Sequence, residues 1–251
     1  MKKYELKKIN EYFLRIKEKN DFLSKLFDYF SSSNVEFGFL GGSVRAAIRG
    51  EASMPRDLDI VFDEDDKDFD AFLNRLSVGF KRNSFGGRKI ESDNMEFDIW
   101  SLSSHHLIAE KLYQKDFKNV TRTTFINYDS VFYDWTKQKL FDNYSKCARE
   151  SLIDFVGNKK YQKFNTQVDM TICKLALLNN QGFSLSENVE NYISNYINSY
   201  FDDESLFDKN DFLESFIYNY NRHYGFNLND ETRNTIYKFI LRYLGDVTKG
   251  C

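Results

Sequence analysis

The chain has 251 residues, 41% hydrophobic and 29% charged, with 25 Phe and 16 Tyr; that is enough apolar material for a substantial core and excludes a disordered segment. A net charge of −3 supplies no global basic field, so any contact with nucleic acid has to come from a local patch. Three scattered cysteines (Cys147, Cys173, Cys251) exclude a disulfide framework, and no C-x-x-C pair joins the histidines in a zinc site.

Residues 4–30 place Leu6, Ile9, Phe13, Ile16, Leu23, Leu26, Phe27 and Phe30 at helical intervals, which predicts two helices. Lys2, Lys3, Lys7, Lys8, Arg15, Lys17, Lys19 and Lys25 make this stretch basic. Glu5, Glu11, Glu18 and Asp21 dilute the cluster, so it reads as the solvated face of amphipathic helices. After a Ser/Asn break, residues 35–40 read as a strand that runs into Gly41-Gly42, followed by a short helix over 43–49. Asp57–Phe62 is a second strand, and 66–77 a helix with Phe69, Phe72, Leu73 and Leu76 on one face. Residues 85–91 and 95–102 predict a hairpin, and 125–134 with 138–141 a second one. From about residue 148 the periodicity is helical, with no further strand signal. The expected architecture is α+β: a mixed-sheet domain with N-terminal helices over 1–145, then a helical domain over 146–251. No run approaches the roughly 20 apolar residues of a membrane span. The N-terminus shows no apolar leader, so a cytoplasmic protein without a membrane partner is expected.

Side chains at i and i+2 of a strand share a face. Asp57 and Asp59 therefore stand side by side, and two such carboxylates repel unless a cation lies between them. Asp98, flanked by Phe97, Ile99 and Trp100, can join them from a later strand. Three carboxylates on adjacent strands suit Mg2+ or Mn2+ in a two-metal site for in-line phosphoryl transfer. Gly41, Gly42 and Ser43 follow a strand and open a helix, so backbone amides and the helix N-terminus can face phosphates. Arg45, one turn in, can add a charge-assisted contact. His105 and His106 read as a cap on the next helix, Lys89 as one half of a cross-strand charge pair, and Cys147 and Cys173 as buried small apolar groups.

The stretch GFLGGSVRAAIRG followed by RDLDIVF resembles the head domain of bacterial poly(A) polymerases and class II CCA-adding tRNA nucleotidyltransferases, members of the DNA polymerase β superfamily. The similarity extends to TRTTFINYDSVFYDWTKQKLFDN and, more weakly, to a neck-like QVDMTICKLALLNNQGFSL, covering roughly residues 35–190. The resemblance implies a polymerase β-like palm with a helical neck. It implies Asp57, Asp59 and Asp98 as metal ligands, Gly41, Gly42, Ser43 and Arg45 on the triphosphate, and Arg122 and Asn127 on the bound nucleotide. It also implies transfer of a nucleoside monophosphate from an NTP, ATP or CTP, to an RNA 3′ end, with tRNA the leading acceptor.

The departures are specific. Ala46 stands where the family has an Asp, and Thr123 where it has the Asp of its Arg-Arg-Asp segment. The neck offers only Asp169 and Lys174 in place of the base-selecting pattern. Tyr192, Tyr196, Tyr200 and Phe201 could stack on bases or fill a core, while Asp202, Asp203 and Glu204 make a poor RNA surface. The alternative is a compact stand-alone nucleotidyltransferase, of toxin, defence or resistance type, that modifies a small molecule or a protein side chain.

Overall fold

A computed structural model describes residues 3–83, 86–156, 168–201, 209–224 and 227–244. Phe85 of the expected first hairpin, Asp202, Asp203, Glu204 and Cys251 lie outside the described residues. The chain forms two compact units, Met1–Lys146 and Cys147–Cys251.

The first unit runs α1 (Lys3–Lys19), α2 (Asp21–Ser32), β1 (Phe37–Leu40), α3 (Gly42–Arg49), β2 (Asp57–Phe62), α4 (Asp66–Arg75), β3 (Lys81–Arg82), β4 (Arg88–Ser92) and β5 (Met95–Ser101). Then come α5 (His106–Ala109), α6 (Phe117–Val120), two 3-10 turns (Thr121–Thr123 and Asn127–Asp129), β6 (Val131–Asp134), β7 (Lys139–Asp142) and α7 (Tyr144–Glu150), which crosses the division. The strands make one seven-stranded sheet in the order β3-β4-β5-β2-β1-β6-β7. Only β2 and β5 pair in parallel; the other neighbours are antiparallel.

Aromatic packing seats α1, α2 and α4 on one face of the sheet. Phe13 of α1 stacks on Phe39 with centroids 3.8 Å apart, Phe27 and Phe30 of α2 meet Phe37, and Phe69 of α4 sits 4.4 Å from Phe62. Each ring buried this way contributes on the order of 2 kcal/mol. Phe37 is registered with Phe62, and Leu58 with Phe97, so the apolar side chains of these three strands point toward the helices. Alternation then sends Asp57, Asp59 and Asp98 to the opposite face. Gly38 in β1 has no alternative residue: a Cβ there would lie 2.4 Å from the Phe132 ring and 2.4 Å from the Tyr133 carbonyl oxygen.

Arg88, on the α4 face, is fully buried. Its guanidinium pairs with Asp66 at 2.8 Å and Asp70 at 2.5 Å, both on α4, and lies 5.1 Å from the Phe69 ring. A buried guanidinium is tolerable only with such partners.

The second unit contains β8 (Leu152–Ile153), α8 (Val168–Asn180), β9 (Ser184–Leu185), α9 (Glu187–Phe201), α10 (Lys209–Tyr224) and α11 (Asp230–Leu244). Helix α8 packs against α10 and α11 through Ile172, Cys173 and Leu175, which are buried. Three local expectations are corrected. The part of the second hairpin expected over 125–130 is the Asn127–Asp129 turn, because Ser130 and Asp129 close 3-10 hydrogen bonds back to Asn127 and Ile126. The stretch after 148 contains the parallel pair β8–β9, two residues each and too short to register as alternation. The two-residue β3 likewise gave no signal. No described helix is long and apolar enough to cross a membrane.

Candidate active site

The opposite face of the sheet gathers the aspartates, beside a buried cluster in which Leu40, Val61 and Phe132 pack with Ile108 of α5 and Phe117 and Val120 of α6. Asp59 of β2 is registered with Asp98 of the parallel strand β5, and with Leu40 of β1 on its other side. Gly41 follows Leu40 at once and so lies over Asp59: a Cβ on Gly41 would be 3.5 Å from Asp59 Oδ2. Gly41 adopts φ 69° and ψ −124°, a conformation that a side chain would strain. This glycine turns the chain from β1 into α3. No side chain caps the first turn of α3, which leaves amides there for a ligand. The Gly41 N–H itself is not among them. It donates to the Val131 carbonyl at 2.9 Å, extending the β1–β6 ladder by one step.

Burial holds the Asp59 carboxyl well above the usual carboxylate range, and the charges of Asp57, Asp98 and Asp129 push it the same way, with Arg45 opposing. Asp98 is also raised, first by burial, while an Asn83 hydrogen bond of 3.2 Å and the Lys89 charge pull it down. The exposed Asp57 pairs with Arg56 at 2.7 Å. The three predicted ligands thus share one face, but among the described residues no group of three His, Cys, Asp or Glu side chains is arranged to hold a metal ion. Arg56 engages Asp57 and Asn83 engages Asp98, so the set is not drawn together. Its chemistry still fits a divalent cation: the donors are hard carboxylate oxygens, and a cation relieves the mutual repulsion that raises Asp59.

Arg45 lies beside the first turn of α3, where a Cβ on Gly42 would be 3.6 Å from its Nη2, and it is also tied to the Asn127–Asp129 turn. Its guanidinium pairs with Asp129 at 2.7 Å, donates to the Tyr128 carbonyl at 3.2 Å and lies 4.4 Å from the Tyr128 ring. Ser43 is 3% exposed, and its hydroxyl has no hydrogen-bond partner. Asn127 opens the turn that ends in Asp129, which brings it to the α3 side of the site. Arg122 is exposed, with its guanidinium 5.7 Å from the Tyr113 ring; no contact joins it to Arg45 or to the aspartates. Lys89 pairs diagonally across the hairpin with Glu96 at 2.6 Å. His105 caps α5 through its carbonyl, which accepts from Ile108 and Ala109, and its ring meets the Thr123 hydroxyl at 3.2 Å. In the second unit, Asp169 accepts from Tyr196 and Asn219, so both aromatic and acid are tied into that unit's interior contacts.

Sequence reasoning missed Asp129 and Asn83. Asp129 could have been found, since it stands two residues after Asn127 in the segment that carries the family resemblance. Asn83 lies between β3 and β4 in a loop with no pattern.

No protein-family model matches the sequence, and no curated protein sequence matches it. Solved structures do. A Thermotoga maritima CCA-adding enzyme complexed with tRNA is 13% identical, with a TM-score of 0.59 over 89% of this chain and 52% of its own. A tRNA-processing enzyme with CTP is 12% identical, with a TM-score of 0.58 over 86% of this chain and 55% of its own. A CCA-adding enzyme with CTP is 14% identical, at 0.50 over 68% and 41%. The chain thus spans only about half the length of the structures it matches. At these identities the likeness establishes the fold alone: an α+β domain built on a mixed sheet, followed by helices, as in these structures.

Proposed function

We propose that this chain is a metal-dependent nucleotidyltransferase that transfers a nucleoside monophosphate from an NTP to the 3′ end of an RNA, with tRNA as the favoured acceptor. The observation that carries the reading is the placement of Asp59 beside Asp98, with Asp57 on the same face, directly under the Gly41 turn that opens α3. The matched structures include CCA-adding enzymes holding CTP and tRNA, which supports the same substrate classes here.

In this reading the α3 first-turn amides receive the triphosphate, and Asn127 orients the nucleotide. Asp57, Asp59 and Asp98 would hold Mg2+ or Mn2+, which would lower the cost of charge on the attacking hydroxyl and on the departing pyrophosphate. The RNA 3′ oxygen bonds to the α-phosphorus, the bond from that phosphorus to the bridging oxygen breaks, and pyrophosphate leaves with the electron pair.

Incubation of the protein with each labelled NTP, Mg2+ or Mn2+ and total RNA tests this, with an Asp57→Ala/Asp59→Ala variant alongside. Label on a tRNA-sized band that vanishes in the variant is the expected result. Label on protein or on a small molecule would establish the toxin, defence or resistance alternative instead, and no label on anything would remove the transferase reading.

A further inference from the structure

The first unit carries a second polar cavity, at the other end of α3 from the Gly41 turn. It has a volume of about 230 Å³ and is lined by Lys8, Glu11, Tyr12 and Arg15 of α1 and by Ala47, Gly50 and Glu51 at the end of α3. Helix α3 has 8 residues, so at a rise of roughly 1.5 Å each the cavity lies about 12 Å from the candidate active site.

Its polar groups are incompletely matched. Glu51 is already taken by Arg49, at 2.5 Å, and Glu11 by Lys7, at 3.6 Å. Among the described residues Arg15 has no such counter-ion. One of its terminal nitrogens donates to the main-chain oxygen of Glu51 at 3.1 Å, its guanidinium lies 5.4 Å from the Tyr12 ring, and its Nε is buried with no acceptor. Tyr12 is 4% exposed, and its hydroxyl is also buried without a partner. Two buried donors, one of them on a guanidinium with no carboxylate, therefore border one cavity, and Lys8 stands two helical turns from Arg15 on the same side of α1. Groups of this kind are costly to bury unsatisfied and are met by an incoming acceptor.

We infer that this cavity is a second binding site, for a phosphate group, with Arg15 and Tyr12 as its principal ligands and Lys8 at its rim. An oxyanion supplies the acceptors that both donors lack, and a planar guanidinium suits a phosphate. The choice of phosphate over carboxylate rests on the reading of the chain as a nucleotidyltransferase. The phosphate has two possible sources, a free nucleotide or the backbone of a bound RNA strand. Glu11 and Glu51 disfavour a long anionic surface, so a single phosphate is held here.

The test is equilibrium binding of AMP, of adenosine and of a short single-stranded RNA, in EDTA and in the Asp57→Ala/Asp59→Ala background. AMP is expected to bind, and adenosine much more weakly. Arg15→Gln should weaken AMP binding by about tenfold or more, Tyr12→Phe by several-fold, and Arg15→Lys should recover part of the loss. Tyr12→Phe keeps the buried ring, and an unchanged melting temperature for it separates lost binding from lost folding. If Arg15→Gln weakens RNA and AMP alike, the strand is a source; if it weakens AMP alone, the free nucleotide is the ligand. Binding of AMP and RNA to Arg15→Gln as tight as to the parent, or no binding of either by the parent, would overturn the site. Because the aspartates are absent from this assay, a failed transfer reaction leaves its outcome intact, and the reverse holds as well.

Discussion

Arg45 on α3 and Asp129 at the end of the Asn127–Asp129 turn are joined by an ion pair of 2.7 Å, across 84 residues of sequence. The pair ties the helix that begins at the glycine turn to the turn that carries Asn127, and Tyr128 adds a carbonyl and a ring to the same guanidinium. It also places a fourth carboxylate near Asp59, whose proton affinity Asp129 helps to raise. Arg45 is thus a positioning residue: it fixes the first turns of α3 against the Asn127–Asp129 turn.

Removing one partner leaves the other with a poorly solvated charge. Arg45→Ala and Asp129→Ala should each cost about 2 kcal/mol in urea denaturation, less than for a fully buried pair because both side chains retain some solvent. The double variant should cost clearly less than the sum, which is the signature of coupling. Strict additivity would show that the two residues do not act on each other. Arg45→Lys should recover little, since a point charge cannot serve the carboxylate, the carbonyl and the Tyr128 ring together.

Two glycines that look alike in sequence should respond in opposite ways. Gly38→Ala forces a methyl into the Tyr133 backbone at 2.4 Å and should destabilise by more than about 3 kcal/mol or abolish folding. Gly41→Ala has room, with its nearest contact at 3.5 Å, and should cost about 1–3 kcal/mol through backbone strain. Its main effect should be on nucleotidyl transfer, because relaxing φ 69° re-aims the first turn of α3 away from Asp59. Thermal melts and the transfer assay read the two effects separately. An active Gly41→Ala protein would mean that the turn does not shape the site.

Metal binding should appear as stability. The clustered carboxylates repel one another on the folded protein, so Mg2+ or Mn2+ should raise the melting temperature, increasingly with concentration. Asp57→Ala/Asp59→Ala should melt no lower than the parent without metal, and should gain nothing from its addition. A metal-dependent rise of equal size in the variant would place the ion elsewhere.

Much of this was legible in the sequence for a definite reason. Strand period and glycine turns act locally, so β2 was read at its observed bounds, Asp57–Phe62, and the Gly41 turn was placed between a strand and a helix. Side-chain alternation put Asp57, Asp59 and Asp98 on one face, and the parallel register of β2 and β5 agrees with it. What local pattern does not encode is the partner of a charged side chain. The spacing of Arg45 from Gly42 points to a phosphate contact but gives no sign of the ion pair it makes with Asp129. Nothing in the local pattern marks Arg88 for burial, which depends on Asp66 and Asp70 meeting it from another element. Asn83, which hydrogen-bonds Asp98, sits in a loop whose position is fixed only by the finished sheet.

Asp134, at the end of β6, is 1% exposed, and its carboxylate accepts the Lys137 amide at 2.9 Å. Burial raises its proton affinity above the usual carboxylate value, and Glu36 adds to this, while Lys137 and the Thr136 amide oppose it. A carboxyl with a higher pKa folded than unfolded binds its proton more tightly in the native state. Its contribution to stability is therefore fully present below the unfolded value, about 3.9, and is lost as pH rises through the folded one. Asp134→Asn keeps an acceptor for the Lys137 amide but cannot ionise. Measured as urea midpoints from acid to neutral pH, the variant should gain on the parent as pH rises above about 4 and then run parallel to it once Asp134 is fully charged. Curves that stay parallel throughout would show that Asp134 ionises as easily folded as unfolded, and a variant that loses ground with rising pH would show that it ionises more easily folded; either overturns the raised proton affinity.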